Sequence, residues 1–127
     1  MEHKEGGDPI KTNNWLQEKG YKKKILLDEK DLNASNTILQ INIVEPKTNL
    51  KPHYHQKMNE AVYILSGEAS IIISDKEFPL KPGDLITIKP NQIHTVKNPG
   101  EKEFRYLVFK TNFFPDDTYD SNWQDLR

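Results

Sequence analysis

His53-Tyr54-His55 sets two imidazoles at positions i and i+2. In an extended strand side chains alternate between faces, so both rings fall on one side with Tyr54 on the other. Glu60 opens a segment in which Glu60, Val62 and Ile64 share a face, an apolar stripe with no use for a carboxylate unless something there requires its charge. His94 opens another such segment, on one face with Val96 and Asn98. Three of the four histidines and one glutamate can therefore converge inside a β structure. Burying them is costly when the imidazoles are charged or the carboxylate is unpaired. A divalent cation removes both costs by binding neutral imidazole and ionised carboxylate. The alternative is a group of core polar residues satisfied by hydrogen bonds, with no ion.

Other side chains near this group carry two readings each. Gln40 and Asn42 lie opposite Leu39, Ile41 and Ile43, and either face solvent or line the interior as hydrogen-bonding groups for a ligand. Met58 either lines the pocket mouth or plugs a gap in the packing. Tyr106 shares a strand face with Phe104, and touches substrate or packs in the core. Lys51 and Lys57 flank the histidine pair and would draw an anionic ligand, or are ordinary surface lysines. His3 sits in a polar terminus with nothing to support a ligand role. No residue is singled out as catalytic.

These residues must be positioned by strands. From Thr37 onward short segments rich in Ile, Val, Tyr and Phe are broken every ~8–12 residues by turn signals, the pattern of an all-β domain. The expected strands are 37–45, 52–55, 60–66, 68–74, 77–80, 85–88, 94–98 and 103–110. Their breaks include Ser66-Gly67, Lys81-Pro82-Gly83-Asp84, Lys89-Pro90-Asn91 and Asn98-Pro99-Gly100. Apolar residues number 10 in residues 1–36, 29 in residues 37–110 and 5 in residues 111–127, which puts the fold in the middle part. Residues 1–36 read as an N-terminal extension with a short helix near Asn14 to Lys19 and a first strand at Ile25-Leu26-Leu27. The Lys22-Lys23-Lys24 run is its solvated approach. Residues 111–127 form an aromatic and acidic tail (Phe113, Phe114, Tyr119 and Trp123 among Asp116, Asp117, Asp120 and Asp125), expected to dock on the barrel or on a partner subunit.

Composition narrows the function. The 127 residues carry 18 basic and 19 acidic side chains, a formal charge of −1, which argues against a nucleic-acid surface. The absence of cysteine rules out disulfides, a thiolate nucleophile and thiolate metal ligands. No apolar run approaches the ~18 residues of a membrane helix. Met1-Glu2-His3-Lys4-Glu5 lacks the apolar stretch of a secretory signal. The expectation is a soluble cytoplasmic protein with no membrane or nucleic-acid partner. Strands apolar on both faces, such as Ile71-Ile72-Ile73 and Leu107-Val108-Phe109, need their second face covered by a second sheet, a tail or a partner subunit, and a homodimer is expected.

The spacing of these residues resembles the cupin superfamily. Its first motif runs G-x5-H-x-H-x3,4-E-x6-G, matched by His53, His55, Glu60 and Gly67. Its second runs G-x5-P-x-G-x2-H-x3-N, matched by Gly83, His94 and Asn98. Lys47, Lys89 and Asn91 stand where the family has glycine, proline and glycine. The resemblance spans residues 45–110 and implies a double-stranded β-helix, a jelly-roll-like (RmlC-like) barrel. It implies His53, His55, Glu60 and His94 as ligands of a divalent Fe, Mn, Ni, Co, Cu or Zn ion. The implied function is binding of, or Lewis-acid chemistry on, a small polar metabolite (a sugar, sugar phosphate or keto/hydroxy acid) of the isomerase, epimerase or lyase kind. A metal-dependent dioxygenase of the quercetinase type and a non-enzymatic ligand-binding cupin are the alternatives.

Overall fold

The alternation of apolar and polar positions is resolved into two antiparallel sheets in the computed structural model, which describes residues 9–12 and 14–121. The strands are β1 (Leu16–Gln17), β2 (Tyr21–Leu27), β3 (Ile38–Val44), β4 (Thr48–Asn49), β5 (His53–Tyr54), β6 (Asn59–Ser66), β7 (Ala69–Ile73), β8 (Lys76–Leu80), β9 (Leu85–Ile88), β10 (His94–Asn98), β11 (Phe104–Thr111) and β12 (Tyr119–Asp120). The first sheet has the order β1-β2-β3-β11-β6-β9, the second β12-β5-β10-β7-β8, with β4 also paired to β10. His3, Gly6-Gly7-Asp8, Trp123 and Asp125 lie outside the described residues.

Register sets the interior rows of the first sheet. Lys23, Asn42, Tyr106 and Ile64 stand opposite one another, followed by Ile25, Gln40, Val108, Val62 and Ile86. The next row is Ile38, Lys110, Glu60 and Ile88. Against these rows pack Ile71, Ile73 and Val96 of the second sheet, and with Val44, Phe104 and Val108 they form the core. Each of the three rows thus sets polar side chains beside this apolar core.

The turns explain the departures from the family motif. Lys47 and Asn91, standing in place of glycines, adopt φ of +54° and +67°. The left-handed conformation of those turns is kept at the cost of Cβ crowding, smallest for asparagine. Gly67 has φ +80°, and a Cβ there would lie 2.2 Å from the Glu103 carbonyl oxygen, so no side chain fits. Asn98 is fully buried and ties loops together. Its Nδ2 donates to the carbonyls of Val44, Glu45 and Lys102, and its Oδ1 accepts from Gly100 N–H.

Two expectations about residues 1–36 are corrected. Leu16–Gln17, where a helix is expected, is a strand held against Lys22 and Lys23 across a turn at Gly20. The one helix among the described residues is α1 (Glu29–Leu32), capped by Asp28, whose carboxylate accepts from Lys30 and Asp31 N–H. The Lys22-Lys23-Lys24 run is not an approach to the first strand but lies inside β2, which adds to the barrel sheet beside β3. The Trp15 ring lies beside its other two members, 5.6 Å from Lys22 Nζ and 4.7 Å from Lys24 Nζ.

Candidate metal centre

β5 and β10 are neighbours in register at His53 and His94, which brings those two imidazoles to 4.3 Å between ring centres. His55 follows one turn of alternation later and stands 5.0 Å from His53 and 5.4 Å from His94. The ligand nitrogens of the three rings lie within 4.8 Å of one another. Glu60 enters from β6 across the barrel, its Oε2 3.3 Å from His55 Nε2 and 3.2 Å from His94 Nε2.

Each ring is oriented by a backbone carbonyl on its far side. Nδ1 of His55 faces the Asp117 carbonyl at 2.8 Å, Nδ1 of His94 the Gln92 carbonyl at 2.9 Å, and Nδ1 of His53 the Lys51 carbonyl at 3.3 Å. A carbonyl accepts only, so Nδ1 carries the proton and Nε2 presents a lone pair to the centre. The close contacts between Nε2 of His55, Nε2 of His94 and Oε2 of Glu60 lack hydrogen-bond geometry, and these three buried atoms have no partner. Buried acceptors facing one another require something between them, an extra proton, a water that donates to them, or a cation. Burial pushes the Glu60 carboxyl up; with an extra proton on the rings, His55 and His94 donate to it and, with the Lys110 ammonium, hold it well below the usual range. Burial, more than any neighbour, lowers His53 to about 4, so His53 is neutral and ready to ligate across the physiological range. Three imidazoles and one carboxylate suit a divalent transition metal and leave one or two positions for water or a ligand.

The loop between the two ligand strands is fastened from outside. Asp117 accepts from Gln56 N–H through Oδ1 at 2.9 Å, and from Lys57 and Met58 N–H through Oδ2 at 2.9 and 3.2 Å. Burial raises its carboxyl and the three N–H donors lower it, the donors prevailing. The same residue's carbonyl orients His55. Two residues on, Tyr119 and Asp120 pair with Tyr54 and His53, and the Tyr119 ring stacks on Tyr54 at 5.3 Å. The tail described by residues 112–121 is therefore part of the site's wall.

The four residues open onto a cavity of about 790 Å³. Gln40, Asn42 and Tyr106 line it and are 2%, 9% and 4% exposed, joined by hydrogen bonds from Gln40 Nε2 to Asn42 Oδ1 and from Asn42 Nδ2 to Tyr106 Oη. Burial pushes the Tyr106 hydroxyl well above its ordinary range, so it stays protonated as a donor. Met58 is buried but forms no part of the cavity lining, the gap-filling alternative. Lys51 lines the mouth and pairs with Asp120 at 3.1 Å, while Lys57 lies over the Phe114 ring at 4.8 Å. Sequence reasoning missed Asp117, whose partners lie about 60 positions away, and also Lys23 and Lys110. Counting by twos along β11 from Tyr106 would have placed Lys110 on the interior face.

Comparison with known proteins agrees with this architecture. Protein SchB of Streptomyces halstedii is 30% identical over 84 residues, which cover 66% of this chain and 60% of SchB. The polyketide synthase CurC of Streptomyces cyaneus is 27% identical over 84 residues, 66% of this chain and 54% of CurC. The chain spans less than two thirds of the length of either relative. A cupin-2 domain protein from Rhodospirillum rubrum superposes with a TM-score of 0.73 over 99% of this chain and 83% of its own, at 18% identity, a likeness of fold. Residues 41–110, more than half of the sequence, match the profile of the cupin domain, and the chain belongs to that family.

Proposed function

We propose that the protein binds one divalent transition metal through His53, His55, Glu60 and His94, and uses it to hold or transform a small polar metabolite in the cavity above. The observation that supports this most directly is the trio of buried, unpartnered acceptor atoms, two imidazole nitrogens and a carboxylate oxygen, aimed at one point. The bound ion would supply Lewis-acid polarisation of neighbouring carbonyl or hydroxyl oxygens. The chain's residues would orient the ligand through the Gln40, Asn42 and Tyr106 donors and exclude water with the apolar wall of Val62, Ile71 and Ile88. Isomerase-, epimerase- or lyase-like chemistry fits this arrangement.

A homodimer belongs to the same reading. The outer face of the first sheet carries Ile41, Leu107, Tyr63 and Leu85 in one cross-strand row and Leu39, Phe109 and Ala61 in the next, with Leu85 67% exposed. A second copy laid on these rows would remove them from water.

Elemental analysis of untagged protein tests the metal, with close to one equivalent expected in wild type and a small fraction of that in His53→Ala and Glu60→Gln. Equal metal in wild type and His53→Ala would refute the site. Turnover across a panel of sugars, sugar phosphates and keto acids, with and without oxygen consumption, then separates isomerase-like from dioxygenase chemistry. Saturable binding without turnover would mark a ligand-binding cupin.

A further inference from the structure

Four lysines line the cavity, and two of them, Lys23 and Lys110, come from interior strand positions and are not used by the metal centre. The interior positions of β11 are Tyr106, Val108 and Lys110, and Lys110 stands opposite Glu60 in the register of β6. The interior positions of β2 are Tyr21, Lys23 and Ile25, and Lys23 stands opposite Asn42, itself opposite Tyr106. Both lysines thus occupy positions where a barrel places core side chains, and both line the cavity that His53, His55, Glu60 and His94 enter. The Lys110 ammonium lies 5.3 Å from the centre of the Phe113 ring, and burial lowers its hold on the proton against the pull of Glu60. Among the described residues no carboxylate comes within ion-pair distance of it. Lys23 has only a long 3.8 Å contact with Glu18. An ammonium at an interior strand position with no close counter-charge is an energetic cost that a bound anion would offset.

The charges in the cavity point the same way. Glu60 and Asp120 contribute −1 each, a divalent ion +2, and Lys19, Lys23, Lys51 and Lys110 +1 each, a sum of +4 before Glu18 is counted. A neutral sugar would leave that charge uncompensated. We propose that the ligand is a small anion, with oxygens directed at the metal centre and an anionic oxygen group, carboxylate or phosphate, held by Lys110 and Lys23. This rests on the metal-centre reading above and narrows its ligand class.

The test uses full-length protein loaded with Co(II), whose visible absorption reports occupancy without reference to activity. Malonate, inorganic phosphate and the neutral dihydroxyacetone are titrated into wild type, Lys110→Met, Lys110→Gln and Lys23→Gln by calorimetry. Malonate or phosphate should bind wild type, and each lysine variant should weaken that binding about tenfold or more at unchanged Co(II) content. Dihydroxyacetone binding should be the same in all four proteins. A preference for malonate assigns the held group as carboxylate, and a preference for phosphate assigns it as phosphoryl. Lys110→Met should also melt no lower than wild type without ligand, because it removes a buried ammonium and keeps the chain length. Anion binding unchanged in the variants, or absent from wild type, at full Co(II) occupancy overturns the proposal and leaves the metal centre standing. Failure of wild type to take up Co(II), Mn(II), Ni(II) or Zn(II) overturns both.

Discussion

Replacing Asp117 by alanine isolates the contribution of the tail to the metal centre. The carboxylate accepts from three backbone N–H groups in the loop that joins His55 to Glu60. Gln56 and Lys57 are exposed, so water replaces the carboxylate at their N–H groups at little cost. Met58 is 3% exposed, and its N–H would be left without a partner. One orphaned buried donor together with two weakened charge-assisted bonds gives a loss of about 2–4 kcal/mol in unfolding free energy. The Asp117 carbonyl that orients His55 is then held less firmly, and loss of an outer partner of a metal ligand costs roughly 10–100-fold in metal affinity. Asp117→Asn, which keeps one acceptor oxygen, should fall about halfway, and Asp116→Ala, at an exposed neighbouring position, should match wild type. Urea denaturation of the metal-free proteins gives the first number, and competition against a chelating dye gives the second. If Asp117→Ala unfolds within about 0.5 kcal/mol of wild type and binds metal as tightly, the tail is not a positioning element.

Four more outcomes follow from particular contacts. His53 has its pKa lowered from 6.5 to about 4 on folding, so the metal-free protein should lose stability as pH falls from 6.5 towards 4, by up to about 3 kcal/mol. The stability is fully present above pH 6.5; His53→Gln should flatten this part of the denaturation profile, and an equal slope in both proteins would contradict the assignment. Gly67→Ala would drive a Cβ into the Glu103 carbonyl and strain a positive φ, with a cost of about 2–5 kcal/mol read from thermal melting with calorimetric enthalpy. Lys47→Gly should stabilise by about 1 kcal/mol, because its φ of +54° suits glycine, and a lower denaturation midpoint would refute that account. Leu85→Glu should convert a sedimenting dimer to monomer without lowering metal content; a wild-type monomer at 100 µM (about 1.5 mg/mL) would dismiss the homodimer.

The sequence was legible where chemistry and alternation coincide. Leu85–Ile88 and His94–Asn98 are strands at the residues expected, and the other central strands agree within about two residues, because β-branched runs and turn residues bound them locally. The convergence of His53, His55, Glu60 and His94 follows from period-two alternation and motif spacing. What stayed hidden depends on partners distant in the chain. Leu16–Gln17 becomes a strand only because Lys22 and Lys23 offer it an edge. The Lys22-Lys23-Lys24 run looks like a solvated stretch until Trp15 lies beside two of its members and the barrel claims the third. Asp117 is one acid among several in the tail, and nothing local sets it apart from Asp116.

The fastening of the 56–58 loop by Asp117 also fixes when the site can exist. His55 and the carbonyl that orients it are 62 positions apart in the chain. At roughly 5–20 residues per second of synthesis, His55 emerges about 3–12 s before the residue that steadies it. Closing so long a loop is entropically costly until the barrel strands have already brought its ends together. On the metal-site reading proposed above, completion of the ligand set is a late step that follows barrel formation, and a nascent chain halted before Asp117 would present its histidines on an unsteadied loop. On the same reading, a protease that trims the tail from the finished protein would return it to that state and weaken its hold on an ion without unfolding the barrel.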